Sequence, residues 1–240
     1  MSTSPPLDSP AAHRWQPLDA AQRRVLGVLI EKAKTTPAGY PMTVNSIVTG
    51  CNQKNNRDPI TAVDDFDVEK VLSELQGLGV VKEIDWVGRV PKHKHDAYVW
   101  LGVRPVELAV MAELLLRGAQ ALGELRARAS RMEAIEDLAA LKQIVDGLVE
   151  RKLMIELTPP GRGQLVSHNL YMPEEHAGLR AGAGADARPA EAGPRAGAAQ
   201  ERAPSVPASD LRAEIDELRG QIARVLERID RLEARSSSDE

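Results

Sequence analysis

The stretch Leu141-Lys142-Gln143-Ile144-Val145-Asp146-Gly147-Leu148-Val149-Glu150-Arg151-Lys152-Leu153-Met154-Ile155 decides the fold. Leu141, Ile144, Val145 and Leu148 recur at helical spacing and line one face of a helix. Leu153-Met154-Ile155 then begins a strand, Pro159-Pro160-Gly161-Arg162-Gly163 turns the chain, and residues 165–172 return. The same arrangement stands 73 residues earlier: Val68, Val71, Leu72 and Leu75 line a helix, and Gly79-Val80-Val81 opens a strand. A long helix running into a hairpin therefore occurs twice.

Working outward, a helix opens at Asp19, with Gln22 three residues on as a capping box, and carries Val25, Leu26, Leu29 and Ile30. Its counterpart follows Arg104-Pro105 and carries Val110, Met111, Leu114 and Leu115, at an offset of 85; Leu18 and Val103 match at the same offset. The first half thus holds 12 more residues between its matched helices, around the polar run from Cys51 to Pro59. A short helix after Thr43 holds Val44, Ile47 and Val48; the second half's short helix holds Leu122 and Leu125. Asp64 caps the first long helix, with Asp65 and Asp67 in its first turn. Its hairpin is expected over 80–87, with a loop at 88–92 and a return strand near 98–101. Helix, short helix, long helix and hairpin is the order of a winged helix, a helix-turn-helix variant. The expected fold is mainly α with small β-hairpins, as tandem winged-helix domains at 18–103 and 104–175.

Around this core, residues 1–17 read as a disordered polar tail and 176–208 as a disordered Ala/Gly/Pro linker, too poor in apolar residues to offset chain entropy. Residues 209–235 read as a coiled-coil helix. Leu211, Ile215, Leu218, Ile222, Val225, Ile229 and Leu232 alternate by four and three, with Ile at a and Leu or Val at d. That pattern favours a parallel homodimer, with Glu214 facing Arg219 and Arg228 facing Glu233 of the partner. The alternative is one amphipathic helix folding back on the globular part.

Over 240 residues, the 42% hydrophobic content is enough for a core, and 3% aromatics make that core aliphatic. A net charge of −4 excludes the strongly basic chain that coats nucleic acid indiscriminately. A single cysteine excludes an internal disulfide framework and a cysteine-only zinc site. No apolar run reaches the ~18–20 residues that span a bilayer, and the N-terminus has no apolar signal core. The expectation is a cytoplasmic protein without membrane contact.

Several motifs are long and specific: Glu31-Lys32, Thr35-Thr36-Pro37, Tyr40-Pro41, Val44-Asn45, and Cys51-Asn52-Gln53-Lys54 with Asn56-Arg57 and Pro59. In the second half they are Leu114-Leu115-Leu116-Arg117-Gly118-Ala119-Gln120, Gly123-Glu124-Leu125-Arg126, Arg128, Arg131-Met132 and Tyr171-Met172. Over roughly residues 18–173 the chain resembles the YceH-like family of bacterial proteins. The resemblance implies a tandem winged-helix fold and no established biochemical role. The chain departs at Ala121, where many relatives have Thr, and its linker and heptads look like an extension outside the family's core.

The leading expectation is regulatory DNA binding through phosphate contacts. In the first half the wing offers Arg89, Lys92 and Lys94, with His93 and His95 beside them. The second half's helix-turn-helix corner offers Arg117, Arg126, Arg128 and Arg131 against Glu124. The inserted run Asn52, Gln53, Lys54, Asn55, Asn56 and Arg57 pairs amides suited to adenine edges with cations suited to phosphates. The same amides also suit helix caps and backbone bonds in an irregular loop. Against DNA stand the acidic long helices: Asp64, Asp65, Asp67, Glu69 and Glu74 in the first, and Glu133, Glu136 and Asp137 opening the second. Carboxylates there repel phosphates and favour the alternative, a protein-interaction scaffold of the ScpB type with no direct DNA binding. His93-x-His95 lacks a clear third metal ligand, and Cys51 lacks a catalytic partner pattern, so both read as wing and packing residues. No phosphate loop or paired acid motif is present, so no enzyme, metal or cofactor is expected.

Overall fold

Asp19 closes the first turn of α1 (Ala20–Thr35): its carboxylate accepts from the Gln22 amide at 2.8 Å, and Gln22 Oε1 accepts from the Asp19 amide at 3.1 Å. Each bond satisfies a donor that the helix start leaves orphaned. The computed structural model describes residues 15–84, 90–161, 163–176 and 178–179. A 3₁₀ turn (Pro37–Gly39) leads to α2 (Val44–Cys51), where Thr43 Oγ1 accepts from Ser46 N. α3 (Asp65–Gly77) starts at Asp64, which forms a second capping box with Asp67. The antiparallel strands β1 (Val81–Ile84) and β2 (Lys92–His95) follow, then α4 (Ala97–Leu101).

The second half runs α5 (Pro105–Arg117), β3 (Gln120–Ala121), α6 (Leu122–Ala129), α7 (Leu138–Glu150), β4 (Met154–Glu156) and β5 (Leu165–His168). Its three strands form an antiparallel sheet in the order β3-β5-β4. In the first half a single bridge, Met42 to His93, stands where β3 pairs with β5. The molecule is mainly helical with small antiparallel hairpins.

α1 and α5 form the centre. α1 is buried continuously from Arg23 to Glu31 and α5 from Glu107 to Leu116, so neither has a solvent face over that span. They pack on each other at Gly27, where a Cβ would lie 2.9 Å from Leu116 Cδ2 and 3.3 Å from Leu115 Cβ. One apolar core, dominated by Leu, Val and Ile, runs through both halves. Residues 1–189 form one unit, and residues 190–240 form another that lies outside the described residues.

The repeat reaches the strand ends. His95 Nδ1 accepts from Ala97 N at 3.3 Å, and 73 residues on, His168 Nδ1 accepts from Leu170 N at 3.2 Å. Tyr98 lies against His95, and Tyr171 stacks on His168 at 3.9 Å between ring centroids.

Two expectations are corrected. The first return strand is β2 at 92–95, and residues 98–101 lie in helix α4. Ala97, Trp100 and Leu101 are buried at helical spacing, while Tyr98 and Val99 are exposed; Gly102, at φ +64°, ends the helix. The second long helix begins only after Asp137, so Glu133 and Glu136 precede α7 and its first turn holds no acid. The residues 1–14 of the tail, the linker from 180 onward and the whole heptad segment lie outside the described residues. Trp15, within the expected tail, packs against the core. No helix among the described residues is long and apolar enough to cross a membrane.

Candidate functional site

The inserted run from Cys51 to Pro59 is a strap from the first half onto α5. Asp58 N donates to Leu116 O at 3.0 Å, Arg117 Nη2 donates to Asn56 Oδ1 at 3.1 Å, and Asn56 turns the chain at φ +60°. Asn52 clamps the exit of the loop: its Nδ2 donates to Val63 O at 2.8 Å and its Oδ1 accepts from Val63 N at 2.9 Å. Arg57 is 4% exposed. Its guanidinium donates to Gly50 O at 2.9 Å, Asn56 O at 2.8 Å, Gln53 Oε1 at 3.0 Å and Glu31 Oε2 at 2.6 Å. Asn52, Gln53, Asn56 and Arg57 therefore hold backbone and buried charge; Lys54 and Asn55 face solvent.

Arg57 belongs to a charge network across the seam between the halves. Arg131 Nη2 bridges Glu31 Oε1 at 3.5 Å and Glu113 Oε2 at 3.2 Å, and Arg117 Nε lies 3.3 Å from Glu113 Oε1. Burial pushes the Glu113 carboxyl up, opposed first by Arg131 and then by Arg117. Arg126 reaches the carbonyls of Ile135 and Glu136, and Arg128 donates to Gln120 Oε1 and pairs with Glu124. All four corner arginines thus have partners within the protein. Burial pushes the Cys51 thiol up to about 11, so it is protonated at neutral pH.

The hairpin presents two chemically opposite faces. Lys82 lies opposite Lys94 in register, and Lys92 is two residues from Lys94, so the three lysines share one face. Arg89 lies outside the described residues. Glu83 and His93 pair across the strands on the other face, toward α3.

A groove of about 630 Å³ lies between that face and α3. Asp65, Glu69 and Glu83 line it with Thr43, Asn45 and His93, and no Lys or Arg lines it among the described residues. None of the three carboxylates forms an ion pair among those residues. His93 is 5% exposed, and its Nδ1 has no hydrogen-bond partner among the described residues. Burial holds its pKa below the ordinary histidine value, against Glu83 and Glu69. Phe66, the only phenylalanine of the chain, is 75% exposed; it shares a face of α3 with the groove residues Glu69 and Ser73. Val90, which lines the groove, is 58% exposed. Among the described residues, no three His, Cys, Asp or Glu side chains are grouped to hold a metal ion.

Sequence reading named the acids of α3 as an objection to DNA and in favour of a protein-interaction scaffold, and it missed Phe66 and the place of His93 in the groove. Hydrophobicity at a position flanked by Asp65 and Asp67 is the signal that marks Phe66 in the sequence.

A family model described as "Protein of unknown function, DUF480" matches residues 18–162. A UPF0502 protein of Rhodopirellula baltica is 53% identical over 160 residues, covering 67% of this chain and 68% of the relative. One from Geobacter sulfurreducens is 48% identical over 143 residues, covering 60% and 63%. Another, from Citrifermentans bemidjiense, is 40% identical over 178 residues, covering 70% and 83%. The chain thus spans about two thirds of the length of the first two relatives.

Proposed function

The chain belongs to the family described as "Protein of unknown function, DUF480", and from that premise we propose that it is a tandem winged-helix protein that docks a protein partner through the α3 face. In each half, three helices precede a hairpin, which is the winged-helix order. A DNA-reading winged helix sends its third helix into the major groove, where Arg, Lys, Asn or Gln reach base edges. The observation that carries the proposal is the α3 groove: three carboxylates line it with no cation among the described residues, and the exposed Phe66 stands on the same helix face beside it. Such a surface repels phosphates and suits protein contact, where aromatic anchors dominate the energetics.

The test is a fluorescence-anisotropy titration of a mixed-sequence duplex at 50 mM salt or so, where phosphate attraction is strong. No binding at micromolar protein is expected; saturable binding that weakens steeply with salt rejects the proposal.

One observation favours DNA as a second reading. Lys82, Lys92 and Lys94 share the outward face of the hairpin, the place of a wing that lies along phosphates. The heptads from Leu211 to Leu232 support a homodimer under either reading.

A further inference from the structure

The molecule carries its own comparison for the α3 groove. The register pair Glu83–His93 corresponds, 73 residues on, to the register pair Glu156–Val166. At the same offset Glu69 of α3 corresponds to Lys142 of α7. In the second half Lys142 Nζ lies 3.8 Å from Glu156 Oε1, so a helix cation answers the strand carboxylate. In the first half both positions are carboxylates and no cation answers them among the described residues. Beneath them, His93 replaces an apolar Val and leaves Nδ1 without a partner among the described residues. A neutral imidazole keeps one ring nitrogen as an acceptor. Among the described residues, the groove therefore lacks the cation that the other half supplies internally.

Resting on the protein-docking reading above, we infer that the α3–hairpin groove binds a basic amphipathic segment of a partner protein. A Lys or Arg of that segment sits between Glu69 and Glu83, where Lys142 answers Glu156 in the second half. Its apolar residues cover Phe66 and Val90. Charge complementarity selects this occupant: a phosphate backbone is repelled by the three carboxylates there, whereas an ammonium or guanidinium is attracted to them.

The probe is a fluorescein-labelled 18-residue peptide of Leu and Lys at amphipathic helical spacing, titrated by anisotropy against the full chain. A Leu/Glu peptide of equal length is the control. Glu69→Lys copies the second half's solution and fills the cation position from within. It is expected to fold normally by circular dichroism and to weaken the Leu/Lys peptide at least about tenfold, a loss of about 1.4 kcal/mol. Phe66→Ala is expected to weaken it similarly, and Glu136→Lys, with the same charge change away from the groove, to leave it unchanged. The Leu/Glu peptide is expected not to bind. Equal binding to wild type and Glu69→Lys overturns the groove assignment while leaving the docking reading standing, as does equal weakening by Glu136→Lys. Failure of the Leu/Lys peptide to bind at all also overturns the assignment. A duplex that displaces the peptide overturns the docking reading itself.

Discussion

Replacing Arg57 by Met tests whether the inserted strap is a structural lock. The side chain lies in the core of the seam, and its Nη2 is 2.6 Å from Glu31 Oε2. Met keeps most of the apolar volume and removes every donor. Glu31, itself 3% exposed, then keeps only Arg131 at 3.5 Å, and the Gly50 and Asn56 carbonyls and Gln53 Oε1 each lose a bond. Breaking one side of a buried ion pair costs about 3–5 kcal/mol, because the remaining charge stays buried. Arg131 offsets part of this, so about 3 kcal/mol is expected. At about 2–4 °C per kcal/mol for a unit of this size, Tm falls by about 6–12 °C. The double variant Glu31→Met with Arg57→Met removes both charges and is expected to recover most of that loss. Urea denaturation followed by far-UV circular dichroism measures each. A solvent-facing contact residue costs under about 0.5 kcal/mol when removed. A loss that small for Arg57→Met refutes the lock.

Gly27→Val places branched carbon where Leu116 Cδ2 already stands 2.9 Å from a bare Cβ, so a loss of about 3 kcal/mol is expected by the same denaturation assay; an unchanged midpoint removes the claim that α1 and α5 require a glycine there. Burial lowers the His95 pKa from 6.5 to about 4 and holds His168 well below its ordinary value. The unfolded chain therefore binds more protons than the folded one between these values, and stability falls as pH drops from about 6.5 toward 4. His95 alone accounts for up to about 3 kcal/mol at 1.36 kcal/mol per pKa unit; urea midpoints that stay flat from pH 7.5 to 4.5 contradict it. Truncation after Pro189 leaves the first unit whole and removes the heptads, so light scattering is expected to show a smaller assembly than the full chain; equal oligomeric states exclude dimerisation through the heptads.

Features that depend on neighbours in sequence were legible. The Asp19 and Asp64 caps, the α1 and α5 pairing at offset 85 and the α3 and α7 pairing at offset 73 all rest on local periodicity. β2 was not legible, because Lys92-His93-Lys94-His95 has no apolar alternation; histidines fill its inner positions. α4 read as strand because five residues hold barely one helical turn, too little to show a period. His95 and His168 each cap their own strand end with a tyrosine three residues on, a short motif repeated at offset 73. The insertion was legible as a surplus, and both of its readings, contact and loop support, followed from the same amides. Only the fold decides between them for Arg57, since its carboxylate partner is 26 residues away on α1 and Arg117 reaches Asn56 across 61 residues. The α3 acids were legible as charge, but their meaning as an unanswered pair needs the register that sets Glu83 beside His93 and the comparison with Lys142 and Glu156.

The most direct measurement of the docking account is photo-crosslinking from the groove in the native host's cells. A photoreactive residue at Ser73, exposed on the lining of the α3 groove, reports whatever occupies it. The account predicts a discrete protein adduct that disappears when Glu69→Lys is added. Adducts to nucleic acid at this position, or a protein adduct indifferent to Glu69→Lys, contradict it.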